Sequence, residues 1–181
     1  SGQLREGLEH YRSAFSQLAG LPKKDVVPEL REALLTQYVC HLHTAKEFAE
    51  VLRVVQSPLA QQGGLTASIH FMAGLAALEM KQFSGGAGQM HQCLAKRDEP
   101  TLSPVNRDIR KAGPHHVLAL CRWGAGQHAE TEKAFLAALA EDAGARAARF
   151  DFARWLGERG RVVDALQTLH AMVGDAAQEP H

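Results

Sequence analysis

Cysteine is scarce in this chain: three residues, Cys40, Cys93 and Cys121, widely spaced and with no C-x-x-C pair. That excludes a disulfide framework and a zinc knuckle. It leaves buried thiols in a reducing compartment as the expectation. Net charge is missing too, since Lys and Arg together number 20 and Asp and Glu together number 20. No overall field therefore steers the chain towards nucleic acid or anionic lipid. Aromatics make up 6% and β-branched residues are few, and no segment sustains a period-two alternation, so no sheet is expected. The most apolar stretch, 65–80, is interrupted by Thr66, Ser68, His70 and Glu79. It is too short and too polar to span a bilayer. No leader pattern opens the sequence, and a cytoplasmic location is the expectation.

What is present is a 45% hydrophobic share dominated by Ala and Leu, which favours helices. Leu4, Leu8, Tyr11, Phe15 and Leu18 fall at spacings of three and four and predict an amphipathic helix over 3–19. Pro28 suits the first turn of a second helix over 28–43. A third, over about 45–56, stops near Ser57-Pro58. After the Gly63-Gly64 break, Thr66 is the expected N-cap of a helix over 66–80. "QFSGGAGQMHQCLAK" reads as the next helix, "RDEPTLSP" as a loop, and further helices are expected near 114–124, 127–141, 145–158 and 161–173. Residues 174–181 read as a flexible tail behind one domain over 1–173.

Two passages share a template. In "CRWGAGQHAETEKAFLAAL" and "ARWLGERGRVVDALQTLHAM", a Gly (Gly126, Gly160) precedes by five residues a small slot (Thr131, Ala165), and a bulky apolar residue (Phe135, Leu169) follows four later. Extended backwards, the small slot falls on Val51, Gly86, Thr131 and Ala165, at intervals of 35, 45 and 34. Twelve residues earlier stand Val39, Gly74, Ala119 and Ala153, and four residues later Val55, Met90, Phe135 and Leu169. The one long interval holds the Pro-rich loop. Two helices approach closely only where side chains are small, and a large residue must fill the space one turn away. A single hairpin cannot bury its own apolar face, so like hairpins stack and share it. Gly7, Tyr11 and Ala14 repeat the second-helix pattern once more, as half a hairpin at the start.

This alternation, the Gly at the hairpin turn and the "AxxxFxxAL" look of "TEKAFLAAL" and "ALQTLHAMV" resemble the tetratricopeptide repeat (TPR) over roughly 110 residues. The family's signature Trp is missing from its usual place, and so is the repeat-closing Pro. The resemblance implies an all-α fold: a right-handed α-α superhelix of stacked hairpins whose first helices line a concave groove. It implies a non-enzymatic scaffold that binds a protein or peptide there, without cofactor, nucleic acid or membrane. Carried onto this sequence, the inner-face positions are Thr36, Gln37 and Cys40, then Phe71, Met72 and Leu75, then His116, Leu120 and Trp123, then Phe150, Asp151 and Arg154. Of these, Phe71, Met72, Leu75, His116, Leu120, Trp123, Phe150 and Arg154 are the candidate partner-binding residues. Their apolar content suits an apolar peptide or helix, with His116 and Arg154 as polar anchors. TPR clamps that hold a C-terminal carboxylate use Lys and Asn on such positions. This chain has one Asn, Asn106, and it lies in the insert.

Competing chemistry finds little footing. Ten histidines invite a metal, yet His41 and His43 stand two apart and His115 and His116 are adjacent, whereas helical zinc pairs need spacings of three or four. "GGAGQ" at 85–89 lacks the Lys-Ser/Thr of a phosphate loop, and Gly86 already has a packing role. No G-x-S-x-G, H-E-x-x-H or D-x-D occurs. The stretch 106–144 is also similar to repeat modules appended to bacterial glycosyltransferases, so a repeat extension of a larger enzyme is the alternative expectation. Homo-oligomers through apolar solenoid ends are a third.

Overall fold

The computed structural model describes residues 2–103 and 105–176. They form ten α-helices and one 3₁₀ turn (Lys23–Asp25), with no strand among the described residues. In chain order the helices are α1 (Gly2–Ala19), α2 (Pro28–Thr44), α3 (Phe48–Val55), α4 (Pro58–Gln61), α5 (Ala67–Glu79), α6 (Phe83–Lys96), α7 (Gly113–Gly124), α8 (His128–Glu141), α9 (Arg146–Glu158) and α10 (Val162–Ala176).

Local chemistry accounts for most of these ends. Pro28 opens α2 at a position whose N–H has no helical acceptor. The Thr66 hydroxyl caps α5 by accepting from the Ile69 N–H. Ser57 and Pro58, expected only to end a helix, also begin one. The Ser57 Oγ accepts from the Ala60 N–H at 3.3 Å and starts the single turn α4, which buries Leu59 and Ala60. Helix α10 continues to Ala176, three residues past its expected end at 173, and Gly174 does not break it. Residues 177–181, the rest of that expected tail, lie outside the described ones.

The helices pair as antiparallel hairpins, α2/α3, α5/α6, α7/α8 and α9/α10, and each hairpin meets only those before and after it in the chain. The small-slot columns sit at the helix crossings. Val39, Gly74, Ala119 and Ala153 are buried, as are Val51, Gly86, Thr131 and Ala165. Behind them Val55, Met90 and Phe135 are buried and Leu169 is half-buried. A Cβ at Gly74 would stand 2.1 Å from the Met90 Cε and 3.4 Å from the Gly86 carbonyl oxygen. At Gly86 it would stand 2.7 Å from the Cys121 Sγ. Helices α5, α6 and α7 thus touch at backbone distance where the sequence supplies glycine.

Each hairpin turns through the same motif. Lys46, Lys81, Gly126 and Gly160 all hold left-handed φ values between 57° and 75°, and they recur at the intervals of the small slots, five residues before each. Around each, two backbone bonds close the helix end, for example Glu47 N–H to Leu42 C=O and Lys46 N–H to His43 C=O. The glycines mark this turn in the last two hairpins, whereas lysines occupy it in the first two.

At the start of the stack, Arg12 of α1 donates to the Glu50 carboxylate of α3 at 2.6 Å, and the Tyr38 hydroxyl of α2 donates to the same group at 2.7 Å. Hydrogen bonding from Arg12 holds the Glu50 carboxyl below its usual range. Burial raises the Tyr38 phenol. Between the third and fourth hairpins, the rings of Phe135, Phe152 and Trp155 stack at centroid distances of 5.2 and 6.0 Å. The insert after α6 folds back on the body: Ile109 is buried, the Leu102 N–H donates to Glu32 of α2, and Arg97 forms a two-pronged bond to Glu141 of α8.

Candidate protein-binding face

The first helices α2, α5, α7 and α9 stand side by side, each in contact with the next, and the contact is smallest between α7 and α9. Along this row the repeat register sets up columns. One runs Thr36, Phe71, His116, Phe150. A second runs Cys40, Leu75, Leu120, Arg154. The exposure of each side chain depends on whether the next hairpin covers it.

Phe71, expected to line the groove, is 6% exposed and belongs to the core between the second and third hairpins, so it offers no surface to a partner. Thr36, in the same column, is buried with its hydroxyl unpaired among the described residues. Met72, Leu75, Leu120 and Trp123 are half-buried, each with one flank on the core and the other open. His116 reaches across to α9, its Nε2 lying 2.9 Å from Asp151 Oδ2. Asp151 in turn lies 3.4 Å from the Arg154 guanidinium, which covers the Trp123 ring at 4.6 Å from its centroid. His116, Trp123, Asp151 and Arg154 therefore form one assembled group spanning α7 and α9. Phe150 is 57% exposed and lies one helical turn before Arg154 on α9.

The result is a strip of half-open apolar side chains, Met72, Leu75, Leu120 and Trp123, ending in a charged pair held by an aromatic ring. It presents an indole face and aliphatic flanks for desolvation, a guanidinium with donors to spare, and a carboxylate. Partly exposed pairs of this kind contribute at most about 1 kcal/mol to folding, so Asp151 and Arg154 serve position more than stability.

The remaining histidines diverge as their spacing requires. His115 points to Glu141 at 3.4 Å while its neighbour His116 points to Asp151. His41 Nδ1 lies 2.8 Å from the Gln37 carbonyl oxygen, and His43 packs on Phe48. His70 is buried against Gln89 at 2.7 Å, and burial lowers its pKa. Among the described residues no three His, Cys, Asp or Glu side chains are grouped to hold a metal, and no helix is long and apolar enough to cross a membrane.

One feature had no sequence signal. On the side of the second helices, α6 and α8 leave a gap floored by α7, a cavity of about 320 Å³ lined by His91, Leu94, His115, Leu118, Arg122 and Lys133 among others. Three helices contribute to it, and no local motif marks such a convergence.

Set against known protein families, characterised proteins and solved structures, the chain shows no significant match in any of the three comparisons.

Proposed function

We propose that this chain is a non-enzymatic, TPR-like scaffold, cytoplasmic in location, that holds a partner protein or peptide in a concave groove lined by its first helices. The observation that carries the reading is the strip Met72, Leu75, Leu120 and Trp123 with the Asp151–Arg154 pair at its end. These side chains are fixed by the core behind them, so a ligand buries apolar surface against a face that needs little ordering. Trp and Arg are the residue types that most often dominate binding energy at such surfaces. The hairpin register and the glycine turns support the TPR-like superhelix on which the groove depends.

The experiment begins by selecting peptides from a displayed random library on the immobilised chain. The best peptide is then titrated calorimetrically against the parent, Trp123→Ala and Arg154→Ala. Each variant should weaken binding about tenfold or more, the loss typical of a central contact. Affinity unchanged in both variants removes this face from the proposal.

A further inference from the structure

A gap between successive second helices occurs twice in the stack, in one register and with opposite contents. The third hairpin repeats the first 80 residues on, Thr131 answering to Val51, and α6 repeats α1 79 residues on, Met90 answering to Tyr11. The cavity of about 320 Å³ between α6, α7 and α8 thus has a counterpart of about 290 Å³ between α1, α2 and α3. Arg12 and Phe15 stand in the first where His91 and Leu94 stand in the second, and Tyr38 where Leu118 stands. On the second helices, Glu50, Arg53, Val54 and Ser57 answer to Glu130, Lys133, Ala134 and Ala137.

In the first gap a carboxylate is already seated. Glu50 accepts from Arg12 at 2.6 Å and from the Tyr38 hydroxyl at 2.7 Å, with the Arg53 guanidinium 3.7 Å away. In the second gap Glu130 has lost the first two donors. Leu118 has no hydroxyl, and the His91 Nε2 already accepts from Arg122 at 3.2 Å. Glu130 accordingly stays exposed on the rim. The second gap gains instead a cation from its floor, where Arg122 replaces Leu42 of the first hairpin. Arg122 donates to His91 and to Gln127, and its guanidinium has donors to spare. Lys133 keeps the charge of Arg53. Among the described residues neither Arg122 nor Lys133 is paired with a carboxylate.

The same exchanges strip the floor of polar groups. Tyr38 and Ser57 become Leu118 and Ala137, while Phe15 and Val54 become the smaller Leu94 and Ala134. At about 30 Å³ for a water-sized group, the space holds on the order of ten non-hydrogen atoms. It runs from His115 to Arg122, about 10 Å along α7. At the His115 end the Glu141 carboxylate already meets Arg97 at 2.6 Å and His115 at 3.4 Å. A second anion is repelled there and drawn to the Arg122 end.

We propose that the cavity between α6, α7 and α8 binds a small amphipathic monocarboxylate. Its chain lies along Leu94, Leu118, Ala134 and Ala137, and its carboxylate lies on Arg122 and Lys133. The ligand's carboxylate takes the place in the second gap that Glu50 fills in the first, and the planar guanidinium suits a two-pronged contact. Its α7 residues, His115, Leu118 and Arg122, lie on a different face of that helix from Leu120 and Trp123. The site therefore does not rest on the protein-binding reading of the first helices.

Octanoate, with eight carbons and two oxygens, is the probe. It is titrated to about 20 mM at constant ionic strength and followed by the methyl resonances of Leu94, Leu118, Ala134 and Ala137. A dissociation constant on the order of 1 mM is expected for a ligand of this size. Octylammonium, with the same chain and the opposite charge, should bind at least about fivefold more weakly, and Arg122→Gln should weaken octanoate by about as much. Glu130→Gln should tighten it about twofold, since a like charge leaves the rim. Ala137→Leu, at a half-buried position, fills the cavity and should abolish saturable binding, while Trp123→Ala leaves binding unchanged. Circular dichroism melts confirm that each variant is folded. This pattern upholds the proposal. No saturable shift of the four residues overturns it, as does octylammonium binding equal to octanoate. Binding that survives Ala137→Leu, or that follows Trp123 instead, overturns it too.

Discussion

Helix α6 carries three glycines, Gly85, Gly86 and Gly88, and they should answer the same substitution in opposite ways. A Cβ added to Gly85 or Gly88 meets nothing within 4 Å. Gly88→Ala in the helix interior should therefore gain the full propensity difference, about 1 kcal/mol, and Gly85→Ala in the first turn roughly half of that. For a chain of this size, 1 kcal/mol moves the melting temperature by about 2–4 °C. Gly86→Ala has the same propensity to gain, but its Cβ would lie 2.7 Å from the Cys121 Sγ, 3.3 Å from the Gly74 carbonyl oxygen and 3.5 Å from the Ala77 Cβ. Cys121 is fully buried and the Gly74 oxygen is backbone, so neither yields readily. Overpacking of this kind costs about 1–3 kcal/mol. The balance for Gly86→Ala is thus between neutral and about 2 kcal/mol destabilising. Adding Cys121→Ala removes the nearest obstacle, and the double variant should be more stable than the sum of the singles by about 1 kcal/mol. Urea denaturation followed by circular dichroism and by tryptophan fluorescence measures all of these, with coincident transitions establishing a common two-state reference. If Gly86→Ala stabilises as much as Gly88→Ala, the close crossing of α5, α6 and α7 is wrong, and the reason given for the repeat falls with it.

Three further outcomes follow from the geometry. At the hairpin turns, Lys46→Gly and Lys81→Gly relieve a left-handed residue at a cost of about 1–2 kcal/mol, partly offset by the freer unfolded chain. Both should raise the melting temperature slightly, while Gly126→Ala and Gly160→Ala lower it; Lys81→Gly melting below the parent contradicts the shared turn. Glu50 has a folded pKa below its ordinary 4.5, chiefly through Arg12. Its stabilisation is complete above the unfolded value and is lost as pH falls through the folded one. The stability gap between the parent and Glu50→Gln should accordingly narrow from pH 6 to pH 3, and a gap independent of pH refutes the role given to Arg12. Burial pushes the thiols of Cys93 and Cys121 up to about 12 and about 11. Iodoacetamide at pH 8 should label half-buried Cys40 first in the native chain; equal labelling of all three argues against the packing around α6 and α7.

The parts of the fold that were legible in the sequence are those fixed by contacts within a hairpin. Alternating small and large residues marked every crossing from Val39/Val51 to Ala153/Ala165, because close approach of two helices leaves few residue types to choose from. Helix starts showed where a side chain or a ring does the capping, at Pro28 and Thr66. The turns of the first two hairpins did not show, because Lys46 and Lys81 sit where glycine is the expected signal and the surrounding Schellman bonds hold them there. Helix α4 was hidden because Pro58 reads equally as a stop and as a first residue, and only the Ser57 hydroxyl decides.

The candidate face divides along the same line. Register placed Phe71, His116 and Phe150 in one column and so gave them one expected role, yet the first is core, the second is paired and the third is bare. Their residue types do not separate them, since Phe71 and Phe150 are the same amino acid at the same repeat position. What separates them is the hairpin that follows: α7 covers Phe71, Asp151 of α9 meets His116, and no described helix reaches Phe150. A repeat sequence specifies its positions locally but acquires burial from its neighbour, so the chemistry of a column is read correctly only when the chain ahead of it is known. The same dependence makes the last hairpin the informative one. There the sequence supplies an apolar face, Phe150, Val162 and Leu166, that no described helix covers.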